Sequence, residues 1–184
     1  RDRSPSRGLG DVYKRQFLGC IKLTSVPANL FANHPNATSF SGAFFGCVSL
    51  KSIPAGLFAN NRKVTDFYST FFGCVSLAAI PENLFAKCSE VTTFSTTFHA
   101  CDALTSIPAN LFDNNRKVTD FAYTFYGCKA LTGESPYTMI DGQKVHLYER
   151  ANYPEQFTAP ENSDRCFYGC TGLTDYSQIP TDWL

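Results

Sequence analysis

Residues 71–97 read FFGCVSLAAIPENLFAKCSEVTTFSTT, and residues 98–124 repeat the plan as FHACDALTSIPANLFDNNRKVTDFAYT. Phe71, Cys74, Leu77, Ile80, Pro81, Leu84, Phe85, Val91 and Phe94 each find a counterpart 27 residues on. The register runs outward in both directions. Units open at Phe17, Phe44, Phe71, Phe98 and Phe125, with Cys20, Cys47, Cys74, Cys101 and Cys128 three residues later and Leu23, Leu50, Leu77, Leu104 and Leu131 six residues later. A fixed period of this size is the mark of a solenoid, in which each unit is one coil that cannot bury its apolar face until the next coil covers it.

Within a coil two segments read as extended. One is Leu-x-x-Ile-Pro, as at 104–108, and the other is Val-Thr-Asp-Phe, as at 64–67 and 118–121, with β-branched and aromatic residues. Pro has no N–H to give a central ladder, so it marks the end of the first segment. The Asn-Leu-Phe phrase between them suits one helical turn and the Asn-rich stretch after it a bend. Phe-x-Gly-Cys suits another helical turn, broken by Gly46, Gly73 and Gly127. The expected fold is a repeat solenoid, a single curved domain of short parallel β-strands joined by short helical turns; Val-Thr-Asp-Phe is favoured for the concave face, with Leu-x-x-Ile-Pro as the alternative.

These phrases carry a resemblance. Leu-x-x-Ile-Pro-x-x-Leu-Phe resembles the leucine-rich repeat, and Phe-x-Gly-Cys-x-x-Leu is similar to the BspA-like leucine-rich-repeat surface proteins of bacteria. The likeness covers residues 17–131 and returns at 166–184. It implies a leucine-rich-repeat-like solenoid, exported to the cell surface or secreted, with a role in adhesion.

Residues 1–16, RDRSPSRGLGDVYKRQ, stand outside the period, and DVYKRQ resembles a reading frame through a sequencing adapter. They are expected to be a disordered scar. Setting aside their five basic and two acidic residues leaves 11 basic and 14 acidic in the chain, a net charge of −3, and no basic face that would favour nucleic acid. No apolar run is long enough to span a membrane. The five coils at 17–131 are followed by 132–184, in which Asp141-Gly142 between apolar residues reads as a β-hairpin and Phe167-Tyr168-Gly169-Cys170 restores the repeat as a capping coil.

Candidate chemistry is sparse. The repeated Cys column is expected to be a ladder of buried thiols, and Cys166 and Cys170 are either two thiols or a local disulfide. His99 lies near Cys101 in sequence, but both occupy packing columns, so no catalytic residue is expected. His34 and Cys88 are expected about 10 Å apart, too far to share a metal. No phosphate loop or metal-ligand pair occurs, so no cofactor and no metal are expected. The outward positions around Val-x-x-Phe are the candidate ligand-binding residues: Thr65, Asp66, Tyr68, Thr93, Ser95, Thr119, Asp120 and Tyr123. Arg62-Lys63 and Arg116-Lys117 are basic spots in matching positions, expected to be solvated for want of a continuous basic row. The expected function is non-enzymatic binding of a protein or glycan ligand on host or neighbouring cells, and the alternative is a structural spacer without its own ligand.

Overall fold

A computed structural model describes residues 13–184. The chain winds as stacked coils, and the stacking follows from where alternate amides point. In the segment that starts at the Phe of each Val-x-x-Phe, or of Ala37-x-x-Phe40 in the earlier coil, every second N–H donates to the next coil: Phe40 to the Asp66 carbonyl at 2.9 Å, Gly42 to Tyr68 at 2.8 Å, Phe44 to Thr70 at 2.8 Å and Gly46 to Phe72 at 2.7 Å. The intervening amides turn back on their own coil: Ala43 to Phe40 at 2.9 Å, Phe45 to Gly42 at 3.1 Å and Cys47 to Phe44 at 3.1 Å. The pattern recurs from Phe67, Phe94 and Phe121. A second, sparser ladder runs through Lys51, Ala78, Thr105 and Thr132, each donating to the coil before.

The expected strands and helical turns contract to smaller units. Among the described residues of the coils, parallel pairing is confined to single bridges, Ser39–Asp66, Asp66–Thr93, Thr93–Asp120 and Asp120–Asn162, with Gly133–Leu173 at the end. The strand cannot lengthen, because three residues past the bridge the chain enters the left-handed region at Gly42, Ser69, Thr96 and Tyr123. The Asn-Leu-Phe phrases, and Gly56-Leu57-Phe58 in their place, make consecutive three-residue turns, such as Leu57 to Pro54 and Asn61 to Phe58, rather than helix.

The interior is a set of aromatic columns. Phe17, Phe44, Phe71, Phe98, Phe125 and Phe167 stack with ring centroids 5.3–5.6 Å apart and nearly parallel planes. The Phe31–Phe112 and Phe40–Phe121 columns lean against one another at tilted angles. Nearly all these rings are fully buried. Each coil therefore supplies apolar area that only its neighbours cover, which is the main stabilising term in a stack.

Residues 132–184 close the C-terminal end. Strand β1 (Tyr137–Ile140) pairs antiparallel with β2 (Gln143–His146), with Thr138 opposite Val145. Asp141 and Gly142 both have positive φ, the two-residue turn that matches strand twist. Three short 3-10 helices follow, Leu147–Asn152, Tyr176–Gln178 and Thr181–Trp183. The first carries Arg150 into the core. Trp183 lies 6.2 Å from both Phe121 and Phe167, covering the last rungs.

At the other end, residues 1–12 of the expected disordered scar lie outside the described residues. Residues 13–16 differ from that expectation by following the coil path. The amides of Tyr13 and Arg15 donate to Ser39 and Ser41 at 3.0 Å, because Tyr13 offers an aromatic ring in the column of Phe40, 5.8 Å away.

Candidate functional site

The parallel bridges bring Asp66, Thr93 and Asp120 into one row and leave Thr65 and Thr119 in the row beside it. The two carboxylates already serve the backbone. Asp66 accepts from the Tyr68 amide at 2.7 Å and from the Ser39 hydroxyl at 2.8 Å. Asp120 accepts from the Ala122 amide at 3.1 Å and from the Thr93 hydroxyl at 3.1 Å. Ser39 and Thr93 take the same turn amides in their own coils, at Ser41 and Ser95. This row of short polar side chains thus seats each coil's entry into its left-handed turn. Ser95 is buried at 7% exposure, so it does not face outward. Tyr68 is half exposed, whereas Tyr123 falls one column further on and donates to Asp164 at 2.5 Å, which with burial raises its phenol above the ordinary value. Exposed hydroxyls remain at Thr65 and Thr92, each reaching back to the carbonyl 27 residues before.

A different place gathers unlike side chains. Arg62, Ala86, Lys87, Ser89, Asn114 and Arg116 line a hollow of about 410 Å3. Arg62, Ser89 and Arg116 share one column over three successive coils, and Lys87 and Asn114 share the column two residues before it. Lys117 beside it is paired with Glu90 at 2.8 Å, and Lys63 with the Asn36 side chain at 2.8 Å. In the sequence Arg62-Lys63 and Arg116-Lys117 read as two separate spots without a continuous basic row, and Lys87 belongs to a different column. Stacking sets it between them.

The interior polar columns are structural. Cys47, Cys74, Cys101, Cys128 and Cys170 each donate from Sγ to a Phe carbonyl of the preceding coil at 3.0–3.3 Å. Burial pushes the Cys47 thiol up to about 11 and those of Cys74 and Cys170 up to about 12, and holds Cys101 and Cys128 well above the ordinary value. Cys166, free like Cys170, replaces the Thr70–Thr97–Thr124 hydroxyl column. Asn61 bonds the carbonyls of Phe31 and His34 at 3.2 and 2.8 Å, and Asn115 bonds those of Phe85 and Cys88 at the same distances. Arg150 completes that column, bonding Phe112 and Asn115 carbonyls at 2.7 and 3.1 Å with its guanidinium 4.2 Å from the Phe157 ring. Burial lowers Arg150 to about 9, so it stays charged at neutral pH.

His99 stacks between Phe72 and Tyr126 at 4.5 and 4.7 Å, and burial lowers its imidazole below the ordinary value. The Cys101 thiol gives its hydrogen bond to the Phe71 carbonyl instead of to His99. A polar cluster not read from the sequence ties the hairpin to the last coil. Buried Asp175 accepts from Ser135 Oγ at 2.5 Å and the Ser135 amide at 2.9 Å, and His146 Nε2 lies 3.0 Å from Glu134. Among the described residues no three His, Cys, Asp or Glu side chains are grouped to hold a metal ion, and no helix is long and apolar enough to cross a membrane.

No protein-family model matches the chain, and no curated protein does. Solved bacterial leucine-rich repeat proteins are similar to it. One from T. pallidum is 21% identical over 64% of this chain and 69% of its own, with a TM-score of 0.31. One from Bacteroides ovatus is 19% identical over 86% of this chain and 39% of its own, at 0.40. A leucine-rich cell surface protein from Faecalibacterium prausnitzii is 21% identical over 67% of this chain and 46% of its own, at 0.23. The chain thus spans less than half the length of the latter two. At these scores the stacked-coil architecture rests on the hydrogen-bond ladders and ring columns themselves.

Proposed function

We propose that this chain is a non-enzymatic binding solenoid of the cell surface or extracellular space, engaging a protein or glycan ligand in the manner of an adhesin. The observation that carries the reading is the hollow between coils, where the residues change from coil to coil within a column, Arg62 to Ser89 to Arg116 in one and Lys87 to Asn114 in the other. A stack that only repeats has no reason to concentrate unlike polar groups at one place, whereas solenoids that bind use such multi-coil faces. The spacer reading is favoured by a separate observation. The Thr38–Thr65–Thr92–Thr119 row is uniform, and the hydroxyls of Thr65 and Thr92 return to the backbone. A solution screen of the folded chain against host glycoproteins and polysaccharides separates the two. A saturable ligand is expected, and a well-folded chain that binds none of them leaves only the spacer.

A further inference from the structure

We infer that the hollow around Arg62, Lys87 and Arg116 is a subsite for a linear polysaccharide carrying carboxylate or sulfate groups. The inference rests on the binding reading above and specifies its ligand.

Three observations lead to it. The first is charge without partners. Arg62, Lys87 and Arg116 are exposed, and none of the ion pairs among the described residues involves them, although neighbouring Lys117 and Lys63 are both held. Acidic side chains that would neutralise the rim are not among the lining residues; of the two that flank lining residues in sequence, Glu90 is bound to Lys117 and Asp113 accepts from the Thr138 hydroxyl. Guanidinium groups bind planar oxyanions with two parallel hydrogen bonds, and an ammonium acts as a point charge, so the set fits anionic oxygens.

The second is spacing. Arg62 and Arg116 lie two coils apart, about 10 Å along the stack, with Lys87 on the coil between. That row addresses anionic groups repeated along an extended chain rather than one isolated ion. The third is the rest of the lining. Ser89 and Asn114 offer a hydroxyl and an amide of the kind that meet sugar hydroxyls. The only apolar lining residue is Ala86, so an acidic peptide would find no pocket for an anchoring side chain. No aromatic ring lines the hollow to stack a nucleic-acid base.

The test measures solution binding of the full chain to dextran sulfate, alginate, neutral dextran and a polyaspartate peptide, at low and at physiological salt. Saturable binding of dextran sulfate or alginate is expected, falling as salt rises because the groups are exposed. The variant Arg62→Ser/Lys87→Ser/Arg116→Ser is expected to lose about tenfold or more in affinity. The variant Lys22→Ser/Lys51→Ser/Lys129→Ser removes the same charge away from the hollow and is expected to bind as the unsubstituted chain does. Equal weakening by the two variants overturns the site in favour of general charge attraction. Polyaspartate or neutral dextran binding as tightly as the acidic polysaccharides overturns the ligand class. Loss of the acidic-polysaccharide result alone, with a glycoprotein still bound, sinks this inference and spares the binding reading; no ligand of any kind sinks both.

Discussion

At the level of single residues the coil is shaped by two left-handed positions. One column holds Gly19, Gly46, Gly73, Ala100, Gly127 and Gly169, all with φ between 56° and 80°. Only Ala100 carries a Cβ there, and it sits in a conformation that disfavours one by about 1–2 kcal/mol. Ala100→Gly is expected to stabilise the chain by about 0.5–1 kcal/mol, since the relieved strain exceeds the extra unfolded-state entropy of glycine; a fall in the urea midpoint would refute it. Arg150 makes the opposite case. Its fork satisfies two buried carbonyls that no following coil reaches. Arg150→Met keeps the volume and strands both acceptors, so a loss of about 2–4 kcal/mol is expected in urea unfolding. A loss below about 1 kcal/mol would show that water replaces the guanidinium. The glycine column is plain in the sequence because it recurs at fixed spacing. Arg150 is not, because the insertion delivers it 35 residues after Asn115 rather than 27.

The thiol ladder is a property of the element, since each Sγ bonds the coil before it. Cys47, Cys74, Cys88, Cys101, Cys128, Cys166 and Cys170 are all buried, and burial raises every one of their thiols above the ordinary value of 9.0. In the unfolded chain these thiols ionise from about pH 9, whereas in the folded chain they stay protonated to about 11 or beyond. Stability from this source is fully present below pH 9 and is lost as pH rises from there. A steep fall in unfolding free energy between pH 9 and 11 is expected, with a slope reduced by about one proton in Cys101→Ala. An unchanged slope in that variant would place the titration elsewhere. The same burial predicts that a thiol reagent modifies exposed Cys20 in the native state and the others only on unfolding. The column was legible because identical residues at an identical spacing leave one environment for all of them. The neighbouring Asp66–Thr93–Asp120 row was not. Val-Thr-Asp-Phe reads equally well as an exposed strand, and only the fold shows the carboxylates closing turns. The basic hollow was hidden for a related reason, as its cations fall in two columns that meet only on stacking.

Across the whole molecule, contacts run between adjacent coils, so stability is a chain of nearest-neighbour couplings closed at one end by Arg150 and Trp183. Phe71 sits between Phe44 at 5.3 Å and Phe98 at 5.5 Å. Phe71→Ala removes a fully buried ring and costs about 3–5 kcal/mol, all of it at the contact between the two halves of the stack. The sole Trp of the chain, Trp183, lies at the far end against Phe121 and Phe167 and reports that end alone, whereas far-UV dichroism reports every coil. In the unsubstituted chain the two signals are expected to change together in urea. In Phe71→Ala the coils before residue 71 lose their coupling to the capped end, so dichroism is expected to fall at lower urea than Trp fluorescence. Phe167→Ala, which strikes the contact with Trp183 itself, is expected to reverse the order. Coincident transitions in both variants would mean that the coils melt as one unit, with coupling strong enough to spread a local loss over the whole stack.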